Sequence, residues 1–250
     1  MNKAFYTGAS GLRAYQHDIN IIGHNVVNSG TTGYKATIPE FRELINNNMD
    51  VNINRELPAD NKVKEGNGVR LWRDDMNFTQ GKFQATDYPL DFLIAGDGFF
   101  ALDDGNGNIQ YTRNGSFDIS VEGEEAFLVN ADGMYVLDQQ NQRIRLDYIG
   151  DTNQIDIDTV KPRLGVFSFT NPNGLTRTDG GSFIVSENSG QPENANRGEY
   201  TLYQGTLEAS NVELSQEMTN LIVAQRAYQF SSKVVTTSDE IEQLVNSLRG

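Results

Sequence analysis

Cysteine is absent from this chain of 250 residues, and histidine occurs only twice, at His17 and His24. The absence of cysteine excludes disulfides, thiolate metal sites, iron–sulfur clusters and a cysteine nucleophile. Two histidines in one segment are also too few for a multi-histidine metal centre. Long apolar runs are lacking as well, so we expect no transmembrane helix and no cleaved secretory signal. The sequence thus predicts no metal ion, no cofactor and no membrane span.

Basic residues are scarce: 20 Lys and Arg stand against 34 Asp and Glu, a net charge of 20 − 34 = −14. Such a surface repels phosphates unless a basic patch is segregated from it. The sequence shows no such patch, so we expect no nucleic-acid partner. Residues 1–36 carry +2 and residues 207–250 carry −3, which leaves −14 − 2 + 3 = −13 for residues 37–206. An acidic central region therefore lies between two ends of different character.

The first 36 residues contain apolar or small side chains at alternating steps of three and four. This is the a and d pattern of a helix that packs along a partner helix. We expect the helix to end near Asn28-Ser29-Gly30. The predicted contact residues are Phe5, Gly8, Leu12, Tyr15, Ile19, Ile22 and Val26.

Residues 207–250 carry two such seams, one more than a contact between two helices uses. If one seam packs on the first helix, the other needs a further partner. The first seam consists of Leu214, Met218, Leu221, Gln225, Tyr228, Ser232 and Val235. The second seam consists of Val223, Ala227, Phe230, Val234, Thr237, Ile241, Leu244 and Leu248.

These two ends allow two interpretations. In the first, the helices form a hairpin that packs on the central region as ordinary core. In the second, the helices pair with each other and then with copies of themselves, as in filament subunits. The opposite net charges of the ends favour contact between them, although surface terms of this kind are weak.

The chain contains 26 Asn and 24 Gly, together 50 of 250 residues, which suits tight turns between short strands. Residues 103–108, Asn114-Gly115 and Asp132-Gly133 predict β-hairpin turns. We also expect strands at 164–169 and 182–185 and a long surface loop over 186–199.

The predicted fold class is α+β, with three parts. Residues 1–36 and 207–250 form paired terminal helices, a coiled-coil-like assembly domain. Residues 37–75 show little periodicity and are interpreted as an extended connector. Residues 76–206 form a β-rich body of short strands and hairpins.

The run from Asp103 to Asn108 superficially resembles a calcium-binding loop. Ile109 stands where such a loop requires glycine, and no acidic residue occupies its twelfth position. We therefore interpret the run as a hairpin turn.

Acidic residues and one histidine are the remaining candidates for catalysis. The pairs Asp103/Asp104 and Glu124/Glu125 lie in predicted turns, where carboxylates are usually solvated rather than catalytic. His24 has no obvious serine or aspartate beside it. Nothing in the sequence requires an enzyme.

A secreted β-rich carbohydrate-active enzyme and an adhesin-like module are the alternatives, and neither has a use for two heptad-bearing ends.

Three segments of the sequence form a recognisable set. They are residues 23–35, residues 96–100 with 111–117, and residues 204–212 with 225–228 and 232–233. In this order they resemble signatures of the rod, hook and basal-body proteins of bacterial flagella. The family usually has Asn and Ala where this chain has His24 and Val27, which concerns packing at the helix end.

Within that family, two groups of residues point to different members. Gln225-Arg226-Ala227-Tyr228 and Phe99-Phe100 look most like distal-rod proteins. The residues at 4–7 and 88–91 look more like proximal-rod proteins. We favour the distal rod.

The resemblance implies a structural subunit of the flagellar basal body. Its terminal helices would form the inner tube of an axial filament and transmit motor torque to the hook. The implied partners are copies of the chain, other rod and hook proteins and the flagellar type III export apparatus, which exports such chains without a cleaved signal. Fifteen of the seam residues would then be the assembly interface: Phe5, Leu12, Tyr15, Ile19, Ile22, Val26, Leu214, Met218, Leu221, Tyr228, Phe230, Val234, Ile241, Leu244 and Leu248.

Overall fold

The computed structural model describes residues 3–44, 47–48, 64–123, 125–147, 159–196 and 198–248. The chain forms two compact units. The helical unit consists of Met1–Val27, Thr37–Met76 and Glu213–Gly250. The β unit consists of Asn28–Ala36 and Asn77–Val212.

Two long helices and a β-hairpin build the helical unit. The helices are α1 (Lys3–Val27) and α3 (Leu214–Ser247), and they pack together along their length. The strands are β1 (Thr37–Glu43), β2 (Asn47–Asn48), β3 (Lys64–Glu65) and β4 (Val69–Met76). The prediction that the chain's two ends are paired helices is confirmed, as is the end of the first helix before Asn28.

Strands β1 and β4 pair antiparallel from Thr37↔Met76 to Glu43↔Val69. The register shifts between Glu40 and Phe41, so Trp72 is an extra residue on β4, as in a β-bulge. Apart from Met76, both strands lie within the range 37–75, for which we predicted a connector, and the chain's packing groups them with the helices. Residues 45–46 and 49–63 of that range lie outside the described residues. The roles assigned to 1–36, 37–75, 76–206 and 207–250 stay predictions.

Short strands dominate the β unit. They are β5 (Phe83–Ala85), β6 (Phe92–Gly96), β7 (Phe99–Asp103), β8 (Ile109–Thr112), β9 (Phe117–Glu122), β10 (Glu125–Asn130), β11 (Tyr135–Val136), β12 (Arg145–Leu146), β13 (Val166–Ser168), β14 (Thr176–Arg177), β15 (Phe183–Ile184), β16 (Glu193–Asn194), β17 (Tyr200–Gln204) and β18 (Thr206–Glu208). One short helix, α2 (Val160–Arg163), lies among them. The predicted α+β fold class is confirmed.

The main sheet of the β unit runs in the order β12-β10-β11-β7-β8-β15-β14, with β9 on β10, β13 on β7 and β16 on β13. Strands β6 and β17 pair separately, as do β5 and β18. The core collects apolar side chains that are at most 1% exposed, among them Leu90, Phe92, Phe100, Leu102, Phe117 and Leu128. Burial of each such side chain contributes about 1.5–3 kcal/mol.

The turn predictions have different outcomes. The turn at 103–108 joins β7 to β8, and the Asp132-Gly133 turn joins β10 to β11, so both hairpins are confirmed. The prediction of a hairpin at Asn114-Gly115 is wrong, because β9 pairs with β10 rather than with β8. A Cβ on Gly115 would lie 1.8 Å from the carbonyl oxygen of Phe92, so glycine is needed there for a close backbone approach.

Strand predictions at 164–169 and 182–185 are confirmed by β13 and β15. The loop predicted over 186–199 contains strand β16, which pairs with β13 through Phe167↔Asn194 and Ser168↔Glu193. That segment is therefore more regular than its Asn and Pro content indicates.

Candidate assembly interface

Small residues line the contact between α1 and α3. A Cβ on Gly8 would lie 2.9 Å from Val235 Cγ2, and one on Gly11 would lie 3.0 Å from Ser231 Oγ. At the other end of α1, Asn25 donates a hydrogen bond to Glu217 at 3.3 Å. The helices are therefore antiparallel and approach closely at their small residues.

The second predicted seam of α3 lies mostly beside this contact, although Val234 Cγ1 would lie 3.3 Å from a Cβ on Gly8. Val234 directly precedes Val235, so the seam lies about 100° around the helix from the residues that face α1. Six large apolar side chains on it are exposed, and we call them the α3 stripe. They are Val223 (62% exposed), Phe230 (69%), Val234 (47%), Ile241 (54%), Leu244 (63%) and Leu248 (86%).

The other sequence-predicted contact residues occupy mixed positions. On α1, Ile22 is buried, Phe5 is exposed, and Leu12, Tyr15, Ile19 and Val26 are half-buried. On α3, Leu221 and Tyr228 are half-buried, whereas Leu214 and Met218 are exposed. The structure brings Tyr228 beside Leu12. The role of the whole set in assembly stays a prediction.

Sequence reasoning missed several buried small residues of the helix pair. They are Gly11 and Ala14 on α1 and Ala224 and Ser238 on α3. Their signal is spacing rather than hydropathy, because Gly11 and Ala14 follow Gly8 at steps of three residues, and Ala224 and Ser238 are 14 residues, or about four helical turns, apart.

The side chain of Asn25 ties α1 to the first strand of the hairpin. Asn25 is 2% exposed, its Nδ2 donates to the carbonyl oxygen of Thr37 at 2.9 Å, and its Oδ1 accepts from Thr37 N at 2.9 Å. A second contact joins α1 to β4, where His17 Nε2 lies 3.2 Å from Asp74 Oδ2. These polar contacts fix the hairpin on α1.

A cavity of about 210 Å³ opens where α1, β1 and α3 meet. We call it the acidic notch, because Asp18 and Glu217 lie in its wall beside Ile22, Ile38 and Val223. Burial raises the pKa of Asp18, and the neighbouring His17 lowers it by less. Burial also raises the pKa of Glu217, opposed by the hydrogen bond from Asn25 and assisted by repulsion from Asp18.

A second cavity, of about 320 Å³, lies between α1 and Tyr228. We call it the basic groove, because Arg13 belongs to its lining. Arg13 is exposed and forms no ion pair in the part of the chain that the structure describes. The helical unit therefore carries one acidic and one basic concave surface.

The β unit contains a buried charge cluster made by Lys35, Arg113 and Glu208, each at most 3% exposed. Lys35 Nζ donates to Glu208 Oε1 at 2.6 Å and to the carbonyl oxygen of Thr79 at 2.9 Å. Arg113 Nη1 lies 3.6 Å from Glu208 Oε2, and Gly81 N donates to Glu208 Oε1 at 2.7 Å. Burial lowers the pKa of Lys35, and the attraction of Glu208 opposes that shift.

The three sequence segments that carry the resemblance meet at this cluster, which we call the motif junction. Gly33 N donates to the carbonyl oxygen of Glu208 at 2.7 Å, and Thr32 Oγ1 donates to Asn114 Oδ1 at 3.1 Å. Gly33 has φ +70°, and a Cβ there would lie 2.6 Å from Asn114 N. Ala36 N donates to Asn211 Oδ1 at 2.8 Å. Segments distant in sequence therefore form one hydrogen-bonded contact.

The carboxylates considered for catalysis have structural partners. Asp103 Oδ2 accepts from Arg143 Nε at 2.9 Å, and Asp104 Oδ1 accepts from Asn106 N at 2.8 Å within its own turn. Glu125 pairs with Arg145 at 2.9 Å. Glu124 lies outside the described residues. His24 is exposed on α1.

The described residues contain no group of three or more His, Asp or Glu side chains arranged to hold a metal ion. None of the helices among them is long and apolar enough to cross a membrane.

Residues 203–248, which include β18 and α3, match the family described as the flagellar basal body rod FlgEFG protein C-terminal region. Over its full length the chain is 32% identical to the flagellar basal-body rod protein FlgG of Bacillus subtilis, all of which is covered. It is 34% identical to FlgG of Borreliella burgdorferi, covering 100% of this chain and 99% of that protein. It is also 32% identical to the flagellar hook-basal body complex protein FlhP of Bacillus subtilis, with 100% of both chains covered.

Proposed function

Because the chain belongs to the FlgG family of flagellar basal-body rod proteins, we propose that it is built into the distal rod through its terminal helices. It is a structural subunit of the flagellar rod and is located in the basal body. The resemblance stated from the three motif segments is confirmed. Assembly with other rod and hook components follows from this membership. Binding to further copies of itself, torque transmission to the hook and passage through the type III export apparatus belong to the proposal.

One observation supports assembly through the helices: the α3 stripe is apolar and uncovered. Its six side chains are 47–86% exposed and, by the helix rise, extend over about 37 Å. Exposed apolar patches of this size mark interaction surfaces in soluble proteins.

The apolar area of the stripe offers a free energy close to what association costs. Complete burial of one such side chain contributes about 1.5–3 kcal/mol, so six that are about two-thirds exposed offer roughly 6–12 kcal/mol. That is comparable to the 4–15 kcal/mol that association costs in lost freedom. Contacts of a single stripe are therefore near balance, and stable assembly requires several neighbours around each subunit.

A structural role also agrees with the carboxylates, which we propose are not catalytic. Asp103 and Glu125 are in ion pairs and Asp104 closes a turn. No observation favours a carbohydrate-active enzyme or an adhesin-like module.

The test is a charged substitution on the stripe, Phe230→Asp, made in the flagellated bacterium that carries this chain. Desolvating an unpaired carboxylate at an interface costs several kcal/mol, so we expect loss of swimming and incomplete rods by electron microscopy. The matched control is Thr236→Asp. Thr236 is exposed and lies about 120° around α3 from Phe230, away from α1. Circular dichroism of both purified variants should match the parent. Normal rods in the Phe230→Asp strain would contradict assembly through the stripe.

A further inference from the structure

Two unlike surfaces of the helical unit complement each other in charge. Resting on the proposed function, we propose that Arg13 of one copy enters the acidic notch of the next copy and pairs there with Asp18 and Glu217. The contact joins a different surface on each partner, so each copy both donates an arginine and receives one.

The notch requires a cation. Burial raises the pKa of both Asp18 and Glu217, and among the residues that the structure describes no lysine or arginine influences either carboxyl. Within the described residues, the positive or polar partners are His17 beside Asp18 and the Asn25 amide on Glu217. Two partly desolvated carboxylates without a permanent cation destabilise the free monomer, and an incoming guanidinium removes this destabilisation.

The shape and lining of the notch suit a long basic side chain. Its volume of about 210 Å³ corresponds to the volume of roughly seven molecules of liquid water. Ile22, Ile38 and Val223 offer an apolar wall for the aliphatic stem, while the carboxylates bind the head. Val223 also belongs to the α3 stripe, so an arginine in the notch would extend the proposed assembly surface without a break.

Arg13 is placed to supply that side chain to a neighbour and not to its own notch. It is five residues before Asp18, which puts the two about 140° apart around α1. Glu217 is opposite Asn25, twelve residues beyond Arg13 and about 18 Å away along the axis. Arg13 is exposed in a groove of its own. By contrast, Arg226 on α3 is engaged with Gln229 at 3.3 Å.

A contact between two different surfaces has a consequence for geometry. Such heterologous contacts form rings when the rotation between copies closes and open helical filaments when it does not. A rod is an open helical assembly, so a head-to-tail arginine contact is the type of interface it needs.

Cysteine cross-linking tests the pairing directly, because the chain has no cysteine of its own. Arg13→Cys and Glu217→Cys are combined in one gene, and isolated basal bodies are treated with a short bis-maleimide, which takes the place of the arginine side chain in spanning the contact. The two positions within one chain are about 18 Å apart along the helix axis, which is too far for such a short linker to bridge. We expect a ladder of dimers, trimers and longer products. A mixture of the two single variants should give dimers only.

The matched control combines Lys233→Cys with Glu217→Cys, since Lys233 is the other exposed basic residue of α3 besides Arg226. It should give no ladder. Rods that assemble but cross-link only through Lys233, or not at all, would overturn the pairing while leaving the proposed function intact. Absence of the unmodified chain from basal bodies would instead refute the proposed function.

Charge reversal gives an independent measure. Arg13→Glu and Glu217→Lys should each lower the number of complete rods about tenfold or more, since removing one partner of a desolvated pair leaves the other uncompensated. The double variant should recover to within about twofold of the parent. If the double variant is no better than the single ones, the two residues are not partners. Stabilisation of the free chain by calcium or magnesium alone, lost in Glu217→Gln, would assign the notch to a metal ion and also overturn the proposal.

Discussion

The motif junction holds two cations and one anion in the β unit, so its charge balance depends on Glu208. In Glu208→Gln the amide oxygen can still accept from Lys35 Nζ and Gly81 N, which lie 2.6 and 2.7 Å from Glu208 Oε1. The substitution therefore preserves hydrogen bonds but leaves Lys35 and Arg113 without a buried counter-charge. Breaking a buried pair in this way costs about 3–5 kcal/mol.

The matched variant is Lys35→Met, which removes hydrogen bonds to Glu208 and Thr79 but leaves Arg113 opposite Glu208 at 3.6 Å. Counting hydrogen bonds predicts that Lys35→Met is the worse change. Charge balance predicts that Glu208→Gln destabilises the β unit more than Lys35→Met does, and this is the result that we expect. The β unit has about 145 residues, for which 1 kcal/mol corresponds to roughly 3 °C, so Glu208→Gln should lower its melting temperature by about 10–15 °C.

Calorimetry of the full chain measures that shift, and the fluorescence of Trp72, in the helical unit, serves as an internal reference. The pH dependence gives a second readout. Burial lowers the pKa of Lys35 below its usual 10.5, and losing Glu208 lowers it further. Between the lowered pKa and 10.5 the unfolded chain binds more protons than the folded one, so stability rises with pH. The deficit of Glu208→Gln should therefore shrink as pH is raised from 7 towards 10. A larger loss in Lys35→Met, or a deficit that does not shrink, would refute charge balance as the cause.

Two further predictions concern the helical unit. Gly8→Leu should lower its melting temperature, because the new side chain meets Val235 Cγ2, which is already 2.9 Å from a Cβ at that position, and overpacking costs about 1–3 kcal/mol. Gly23→Ala on the same helix places its Cβ within 4 Å of no atom in the described part of the chain, and should instead raise the melting temperature through about 1 kcal/mol of helix propensity. Equal effects of the two substitutions on thermal unfolding would contradict close packing at Gly8. Glu217→Gln should stabilise the free chain at pH 7 while impairing rods. Because burial raises the pKa of Glu217, the parent gains stability as pH falls from that pKa to 4.5, and the variant should gain less. Urea unfolding at pH 7 and pH 5 measures this gain, and an equal gain in parent and variant would contradict the prediction.

Strong local patterns made much of the fold predictable. The 3.5-residue periodicity gave both helices, and the turn residues at 103–108 and Asp132-Gly133 gave two hairpins. Asn114-Gly115 carries an equally strong turn signal, but Gly115 is used for close contact with Phe92 across the core. A local pattern cannot distinguish these uses, because the deciding contact comes from a residue 23 positions away.

The β1–β4 hairpin had no detectable signal for a different reason. Strands that bury one face alternate between apolar and polar residues, but this two-stranded ribbon is exposed over much of its length. Ile38 is 53% exposed and Trp72 is 44% exposed, the latter stacked under Arg42 at 4.0 Å. The bulge at Trp72 further interrupts any two-residue period. Its packing on α1 depends on polar contacts such as Asn25 to Thr37, which hydropathy does not register.

The two faces of α3 also differ in how strongly the hydropathy pattern of the sequence marks them. The internal contact with α1 uses Gly8 and Gly11 against Ser231 and Val235, residues that permit close backbone approach but bury little apolar area. Six large apolar side chains form the stripe, where the free chain leaves Phe230 69% exposed. A helix pair built in this way gains little stability from its own contact and much from covering the stripe, since hydrophobic stabilisation scales with the apolar area removed from water. The heptad pattern of α3 therefore indicates the proposed contact between subunits more strongly than the contact within one subunit, and the helical unit should gain most of its stability on assembly.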